Sequence, residues 1–174
     1  VNCVPDYVQV ESYVRASNVQ AIVDGNQRVN RALKAGGDAV GATCVIHDLP
    51  GYLPMRDNPD MNSLLRSNSE PLFGTDNVRQ RVHMTASTDM GDVSHLMPVI
   101  HPWVGCIEGV LHSAEYNITV PDVAYIKTAQ ALAMTIVDLL YDEAQVAEEI
   151  LENFEAPLTK ETYIELLDSI ASGK

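Results

Sequence analysis

The sequence is poor in basic residues and in cysteine. It has 11 Lys and Arg residues against 24 Asp and Glu residues, which gives a formal net charge of -13. A chain that binds nucleic acid needs a basic surface to neutralise phosphates, so this balance predicts no nucleic-acid partner. Cys3, Cys44 and Cys106 are odd in number and widely spaced. They indicate neither a disulfide framework nor a zinc knuckle, and they favour a reducing, cytoplasmic compartment.

Long apolar runs and familiar catalytic motifs are also missing. No stretch approaches the roughly 18 to 20 apolar residues that span a bilayer, so no membrane partner is expected. The opening residues, VNCVPDYVQV, lack the basic and apolar segments of a signal peptide. Nucleophilic-serine elbows, phosphate-binding loops, HExxH helices and paired cysteines are absent as well. With 46% hydrophobic and 20% charged residues, the composition is that of a soluble globular protein.

Apolar spacing predicts a strand, a helix and a second strand in the first part of the chain. Apolar and polar residues alternate over residues 6–15 and again over residues 40–46, as in half-buried strands. Between them, Asn18 is a good helix cap and Gly36-Gly37 is expected to end the helix. A helix packed on one side of a sheet follows from this order, and the fold class is therefore predicted to be α/β.

Proline and glycine divide the remainder of the chain. Residues 49–59 carry three prolines and predict a connection near a domain change. Residues 74–95 are rich in Gly, Thr, Ser and Asp, which is typical of a functional loop. From Pro121 the apolar spacing becomes helical. Thr159 is expected to cap the last helix.

Two polar segments carry the candidate chemistry. In STDMGDVSH, the side chains of Asp89, Asp92 and His95 either bind a metal or belong to an ordinary polar turn, because their spacing fits no standard calcium or zinc motif. In VLHSAEYNIT, His112 is a metal ligand, a general base or a turn histidine. The residues themselves leave both choices open.

Three motifs, taken in order, resemble segments of the dinuclear metallo-aminoacylase and carboxypeptidase family. NCVPDYVQVESYVRA resembles its N-x-[VI]-P…[VI]-R segment, and LHSAEYNI resembles its H-S-x-x-[FY] segment. STDMGDVS, between them, resembles its G-[ST]-x-D segment in the longer form of the aminobenzoyl-glutamate hydrolase branch. The resemblance covers essentially the whole chain, as the C-terminal portion of such an amidohydrolase.

The resemblance implies a two-domain protein with a metal centre. Members of this family hold two divalent metals, zinc or sometimes manganese, in an α/β catalytic domain, and they dimerise through an inserted two-layer lid. By this comparison residues 1–48 are the second half of the lid, and residues 56–174 are the C-terminal part of the catalytic domain. The implied reaction is hydrolysis of an N-acyl or N-aroyl amino acid, such as aminobenzoyl-glutamate, by a metal-activated water in a cytoplasmic homodimer.

The same resemblance implies roles for four residues. His112 matches the C-terminal metal-ligand histidine, and imidazole is a good ligand for zinc. Asn2 and Arg15 match lid residues that bind a substrate carboxylate or carbonyl oxygen. The planar guanidinium can hold a carboxylate with two charge-assisted hydrogen bonds. Asp89 matches the aspartate of the G-[ST]-x-D segment and is expected in the wall of the substrate pocket.

The sequence also departs from the family pattern. The H-x-D ligand motif, the Glu-Glu pair and the lid histidine of the family all lie upstream of its first matched motif, and Ala86 replaces a glycine. The start at Val1 without methionine suggests a fragment or a processed chain. With one matched ligand, this stretch alone is expected to bind metal poorly and not to catalyse. The alternative is a non-catalytic binding or assembly module that keeps the fold without a complete metal site.

Overall fold

Helices dominate the computed structural model, which describes residues 2–80 and 86–172. In the described residues β1 (Ile107–Glu108) and β2 (Asn117–Ile118) form a two-stranded antiparallel sheet. A 3-10 turn (Thr75–Asn77) and a π-helical turn (Asp122–Lys127) complete the regular structure. This mostly helical chain is compatible with the mixed α/β class. The helices are α1 (Val19–Ala39), α2 (Pro59–Phe73), α3 (Met90–Ser94), α4 (Thr128–Glu152) and α5 (Lys160–Ala171).

The predicted start of α1 is confirmed, whereas its predicted end is wrong. The Asn18 side chain accepts a hydrogen bond from the Ala21 amide at 2.9 Å, as an N-cap should. The helix then runs through Gly36 and Gly37 to Ala39. A Cβ at Gly37 would lie 3.0 Å from the Cβ of Cys44. That glycine therefore allows the returning chain to approach the helix closely, and it does not end the helix.

The two strands predicted beside α1 are wrong as strands. Residues 6–15 and 40–46 carry no strand assignment, and among the described residues no backbone hydrogen bond pairs one segment with the other. A strand is stabilised by the ladder of a neighbouring strand, and neither segment has one here. The segments still lie along α1: a Cβ at Gly25 would be 3.1 Å from Val14 Cγ1, and Asn30 Nδ2 donates to Asp48 Oδ2 at 2.7 Å.

Helices α2 and α4 pack against each other and form the centre of the structure. Asn68 on α2 is buried, and its Nδ2 donates to Asp138 Oδ2 at 2.7 Å and to Thr135 Oγ1 at 3.3 Å on α4. These bonds satisfy polar groups that would be costly to bury alone. Past this contact, α4 is interrupted by left-handed backbone at Asp142, Glu143 and Ala144.

The buried core of the described residues is small. The accessible surface is 12936 Å² for a mass of 19.0 kDa. A compact monomer of that mass exposes about 8,400 Å². Large apolar side chains are exposed along α4, including Ile136, Val137 and Leu140. The buried apolar side chains are Leu53, Leu65, Val99, Cys106, Ala131 and Ile150.

One helical stretch, Asp122–Glu152, is long and apolar enough to cross a membrane by length and composition alone. Its most apolar window has a mean hydropathy of 1.4. A count of consecutive apolar residues does not reveal this stretch, because polar residues interrupt it. Core helices of soluble proteins pass the same test when they are mostly buried, whereas 11% of this window is buried. One side of the stretch holds the bond from Asn68 to Asp138.

Candidate functional site

His112 lies in the connection between β1 and β2. At the base of this loop, the Cys106 carbonyl accepts a hydrogen bond from the Thr119 amide at 3.0 Å. At its tip, the Val110 carbonyl accepts from the Ser113 amide at 3.0 Å. His112 itself is exposed and has left-handed backbone, with φ of 65°. Left-handed backbone is uncommon for a residue other than glycine, and strain of this kind is concentrated at functional sites.

The loop holds His112 without engaging its imidazole. Among the described residues no hydrogen bond or ion pair involves that ring, and His112 lies in a turn, so the metal ligand, the general base and the ordinary turn histidine all stay open. Gly109, with φ of 94°, makes the sharp turn possible, because a Cβ there would overlap the carbonyl oxygen of Glu115. The result is an accessible imidazole on a tightly turned loop, which is suitable for a metal ligand or a general base.

Asp89 precedes α3 and caps it. Its Oδ1 accepts hydrogen bonds from the Met90 amide and the Thr88 hydroxyl, both at 3.0 Å. The residue is exposed, so a substrate can reach its carboxylate. The Asp92 amide donates to the Asp89 carbonyl at 3.0 Å and closes the first turn of the helix.

Three further side chains of STDMGDVSH, those of Asp92, Ser94 and His95, hydrogen-bond to the backbone of residues 53–56. Asp92 Oδ1 accepts from the Leu53 amide at 2.9 Å, and Ser94 Oγ accepts from the Arg56 amide at 2.9 Å. The buried His95 ring donates from Nε2 to the Pro54 carbonyl at 3.0 Å. Because Asp92 and His95 are used in this way, the reading of Asp89, Asp92 and His95 as a metal-ligand cluster is wrong.

Asp92 and Tyr163 are coupled electrostatically. Burial raises the pKa of the Asp92 carboxyl above its ordinary value of 3.8, although the Leu53 amide and nearby His95 act in the opposite direction. Burial also raises the pKa of the Tyr163 hydroxyl on α5, with a further contribution from the negative charge of Asp92. The α3 segment therefore lies close to α5, and the Leu158 amide before α5 donates to the His95 carbonyl at 3.2 Å.

Asp92→Asn is expected to raise the melting temperature at pH 7. The amide oxygen of asparagine still accepts from Leu53, while the partly buried charge is removed. Because the folded-state pKa of Asp92 is raised, the destabilisation is absent below the ordinary value of 3.8 and grows as pH rises through the folded value. The difference in melting temperature between variant and wild type should therefore vanish as the pH approaches 3.8. A variant that melts below wild type at pH 7 would show that attraction to His95 outweighs burial.

Asn2 and Arg15 lie in the N-terminal extended segment. Both are exposed, and the Arg15 guanidinium lies 5.2 Å from the centre of the Tyr13 ring. No hydrogen bond or ion pair joins any two of Asn2, Arg15, Asp89 and His112, and all four lie in the described residues. Their assignment to one substrate site stays a prediction.

The described residues do not form a metal centre by themselves. Over residues 2–80 and 86–172 there is no group of three His, Cys, Asp or Glu side chains that could hold an ion. A catalytic zinc site takes about three protein ligands, and a structural one takes about four. Any further ligands that join the imidazole of His112 therefore have to come from outside the described residues.

Two cavities flank Arg56. One, of about 480 Å³, lies between residues 56–59 and residues 152–155. The other, of about 800 Å³, lies between the start of α1 and α5. Neither is lined by Asn2, Arg15, Asp89 or His112. Ser94 lines the first cavity and His95 lines the second. Sequence spacing alone does not reveal the hydrogen bonds of these two residues to residues 53–56.

Comparison with known proteins finds distant relatives over most of the chain. An Xaa-Arg dipeptidase of Homo sapiens is 26% identical over 179 aligned positions, which cover 96% of this chain and 40% of the relative. An Xaa-Arg dipeptidase of Mus musculus is 27% identical over 173 positions, which cover 92% of this chain and 39% of the relative. The chain thus spans about two fifths of the length of these relatives. No family model and no solved structure matches.

The similarity is to proteins named as dipeptidases. It supports the broad superfamily of metallopeptidases and amidohydrolases that the three motifs resemble. It does not support the aminobenzoyl-glutamate branch, to which the form of STDMGDVS pointed. Both relatives are named as dipeptidases, and the similarity fixes neither the substrate nor the metal of this chain.

Proposed function

We propose that this chain is the C-terminal part of a metal-dependent amidohydrolase that cleaves dipeptides or N-acyl amino acids. The observation that carries the proposal is the similarity to Xaa-Arg dipeptidase over 96% of the chain. The exposed, left-handed His112 in the third motif supports it, because a metal can reach that imidazole. Other residues of the full-length protein would supply the remaining ligands for two zinc or manganese ions.

In this proposal residues 1–48 are half of the lid and residues 56–174 belong to the catalytic domain. The two extended segments beside α1 support the first part, because each has the alternation of a strand and has no neighbouring strand within residues 2–80 and 86–172. The other half of the lid would supply the neighbours. A homodimer through the lid accounts for exposed apolar side chains such as Tyr7, Val10 and Tyr13. A cytoplasmic location without nucleic-acid or membrane partners stays a prediction.

The large apolar surface supports the idea that the rest of a longer protein covers this chain. Burial of apolar surface contributes about 25 cal/mol per Å², so exposed apolar side chains such as Ile136, Val137 and Leu140 on α4 favour further packing. The apolar stretch Asp122–Glu152 fits protein better than lipid. Asp138 within it is bonded to Asn68 on α2, and Glu148, Glu149 and Glu152 lie at its C-terminal end.

The direct test is hydrolysis by the full-length protein after metal removal and reconstitution. Xaa-Arg dipeptides, N-acyl amino acids and aminobenzoyl-glutamate should be assayed in parallel with added zinc or manganese. Release of a free amino acid only when metal is added supports the proposal. The substrate that is cleaved most efficiently identifies the branch of the family. Failure with all three substrate classes, in a protein shown to bind two metals, would overturn it.

Arg15→Ala is expected to raise KM for substrates with a free carboxylate. The loss of a charge-assisted hydrogen bond, worth about 1.5 to 3 kcal/mol, corresponds to about 10- to 100-fold in KM. The turnover number should change much less if Arg15 binds the carboxylate equally in the ground state and in the transition state, because uniform binding affects KM and not turnover. Arg28→Ala, at an exposed position on α1, is the matched control. An unchanged KM in Arg15→Ala would leave Arg15 as a surface residue.

A non-enzymatic binding or assembly module is the second candidate. It is favoured by the absence of a three-ligand cluster in the part of the chain that the structure describes. The two candidates differ in metal content. The enzyme requires about two metal equivalents in the full-length protein, whereas the module requires none.

A further inference from the structure

We propose that Gly91, Asp92, Ser94 and His95, here called the α3 clamp, are positioning residues that hold Asp89 in its orientation toward substrate. The proposal rests on the proposed function, together with the expectation from the G-[ST]-x-D resemblance that Asp89 lies in the wall of a substrate pocket. The clamp residues themselves need not touch substrate. They act through the Leu53–Arg56 backbone on one side and the first turn of α3 on the other.

Helix α3 needs external support because it is very short. It spans five residues, Met90–Ser94. Isolated helices below about 12 to 15 residues are marginal in water, since forming the first turn is unfavourable. The orientation of Asp89, which caps this helix, therefore depends on contacts that α3 makes with the rest of the protein.

The clamp supplies those contacts along one run of backbone. Asp92, Ser94 and His95 hydrogen-bond to the Leu53 amide, the Arg56 amide and the Pro54 carbonyl, respectively. The absence of a side chain at Gly91 lets this backbone lie against the helix. These side chains thus satisfy the two amides and the carbonyl, which no strand pairs here.

Gly91, Ser94 and His95 of the clamp are buried, so the loss of one clamp side chain should lower stability more than the loss of an exposed one. Ser94 is 1% exposed and His95 is 6% exposed. A hydrogen bond lost in such a place leaves an unsatisfied buried partner. The Ser94 hydroxyl additionally donates to the Gly91 carbonyl, so it joins the helix to the Arg56 amide through one atom.

The link from the clamp to Asp89 runs through the first turn of α3. The Gly91 amide donates to the Thr88 carbonyl at 2.9 Å, and the Asp92 amide donates to the Asp89 carbonyl at 3.0 Å. Clamp residues 91 and 92 therefore fix the backbone on both sides of Asp89. If the clamp opens, this turn frays and the carboxylate loses its fixed direction.

The test uses Ser94→Ala, His95→Ala and His95→Gln in the full-length protein. Ser67→Ala is the control, because the exposed Ser67 hydroxyl only bonds to Ser63 within α2. We expect Ser94→Ala and His95→Ala to lower kcat/KM at least about tenfold and to speed hydrogen exchange at the Leu53 and Arg56 amides. Glutamine can donate from Nε2 to the Pro54 carbonyl, so His95→Gln should restore much of both properties.

A double-mutant cycle with Asp89→Asn separates positioning from general destabilisation. If the clamp acts through Asp89, Ser94→Ala should lower kcat/KM much less in the Asp89→Asn background than in wild type. Equal losses in both backgrounds, or normal exchange at Leu53 and Arg56 in the clamp variants, would overturn the proposal.

The clamp remains testable if the wild-type protein hydrolyses none of the substrates. Hydrogen exchange and the chemical shifts of the Asp89 and Met90 amides then decide whether the clamp holds the capping turn. Shifts and exchange at these amides that stay as in wild type in Ser94→Ala and His95→Ala, or that do not return in His95→Gln, count against it. The absence of hydrolysis would count against the proposed function alone, whereas the exchange and chemical-shift data would decide on the clamp.

Discussion

His112→Ala in the full-length protein is expected to abolish metal-dependent amide hydrolysis. Loss of one ligand weakens a catalytic metal, and the metal contributes several kcal/mol to stabilising the transition state. A loss of about 4 kcal/mol corresponds to a roughly 1,000-fold lower kcat/KM. Purified variant and wild type should be compared for both turnover and bound metal. Metal content should fall together with activity.

The left-handed backbone of His112 requires a control that separates the ligand from the loop. Alanine disfavours φ of 65°, so His112→Ala changes both the imidazole and the backbone preference. Glycine adopts that conformation freely, and asparagine adopts it more readily than alanine. His112→Gly and His112→Asn therefore preserve the loop while removing the imidazole. Both should be as inactive as His112→Ala.

Restored hydrolysis in His112→Gly would contradict the ligand assignment. That outcome would mean that the loop conformation matters and the imidazole does not. Normal metal content with lost turnover would instead assign His112 as a general base, which is the other chemical role open to an accessible imidazole. The two measurements together therefore decide among the roles that the sequence left open.

Features set by neighbouring residues were predictable from the sequence. The caps at Asn18 and Thr159 were predicted from residue type, and both are confirmed, because a cap bonds only to amides about three residues away. The helical pattern after Pro121 was recognisable for the same reason, since its apolar spacing repeats within a few turns. A π-helical turn at its start was not expected.

Features set by distant residues were not predictable. The alternation over 6–15 and 40–46 is real, but strand formation depends on a partner that neither segment has among the described residues. The bonds from STDMGDVSH to residues 53–56 join positions 38 to 41 residues apart. Nothing in the local spacing of Asp92 or His95 distinguishes a bond to distant backbone from a bond to metal. The left-handed φ of His112 was hidden as well, because the residue is not glycine.

Gly91→Ala is expected to destabilise the protein strongly. A Cβ at this position would overlap the carbonyl oxygen of Leu53 and lie 3.0 Å from its carbonyl carbon. Both are backbone atoms, which cannot move away as the end of a flexible side chain can. Overpacking of this kind costs about 1 to 3 kcal/mol and sometimes more. The loss should be at the upper end, because the three hydrogen bonds beside Gly91 would also be displaced.

Gly36→Ala is the matched control for this substitution. Gly36 lies inside α1, and a Cβ there would meet no atom within 4 Å. Alanine is a better helix former than glycine by about 0.8 to 1 kcal/mol, so this variant should be slightly more stable than wild type. The free energy of unfolding measured by chemical denaturation should thus be lower than wild type in Gly91→Ala and slightly higher in Gly36→Ala. Gly91→Ala should also speed exchange at the Leu53 and Arg56 amides. Equal stability of Gly91→Ala and wild type would mean that residues 53–56 do not lie against α3 in solution. That result would also contradict the positioning of Asp89 through this contact.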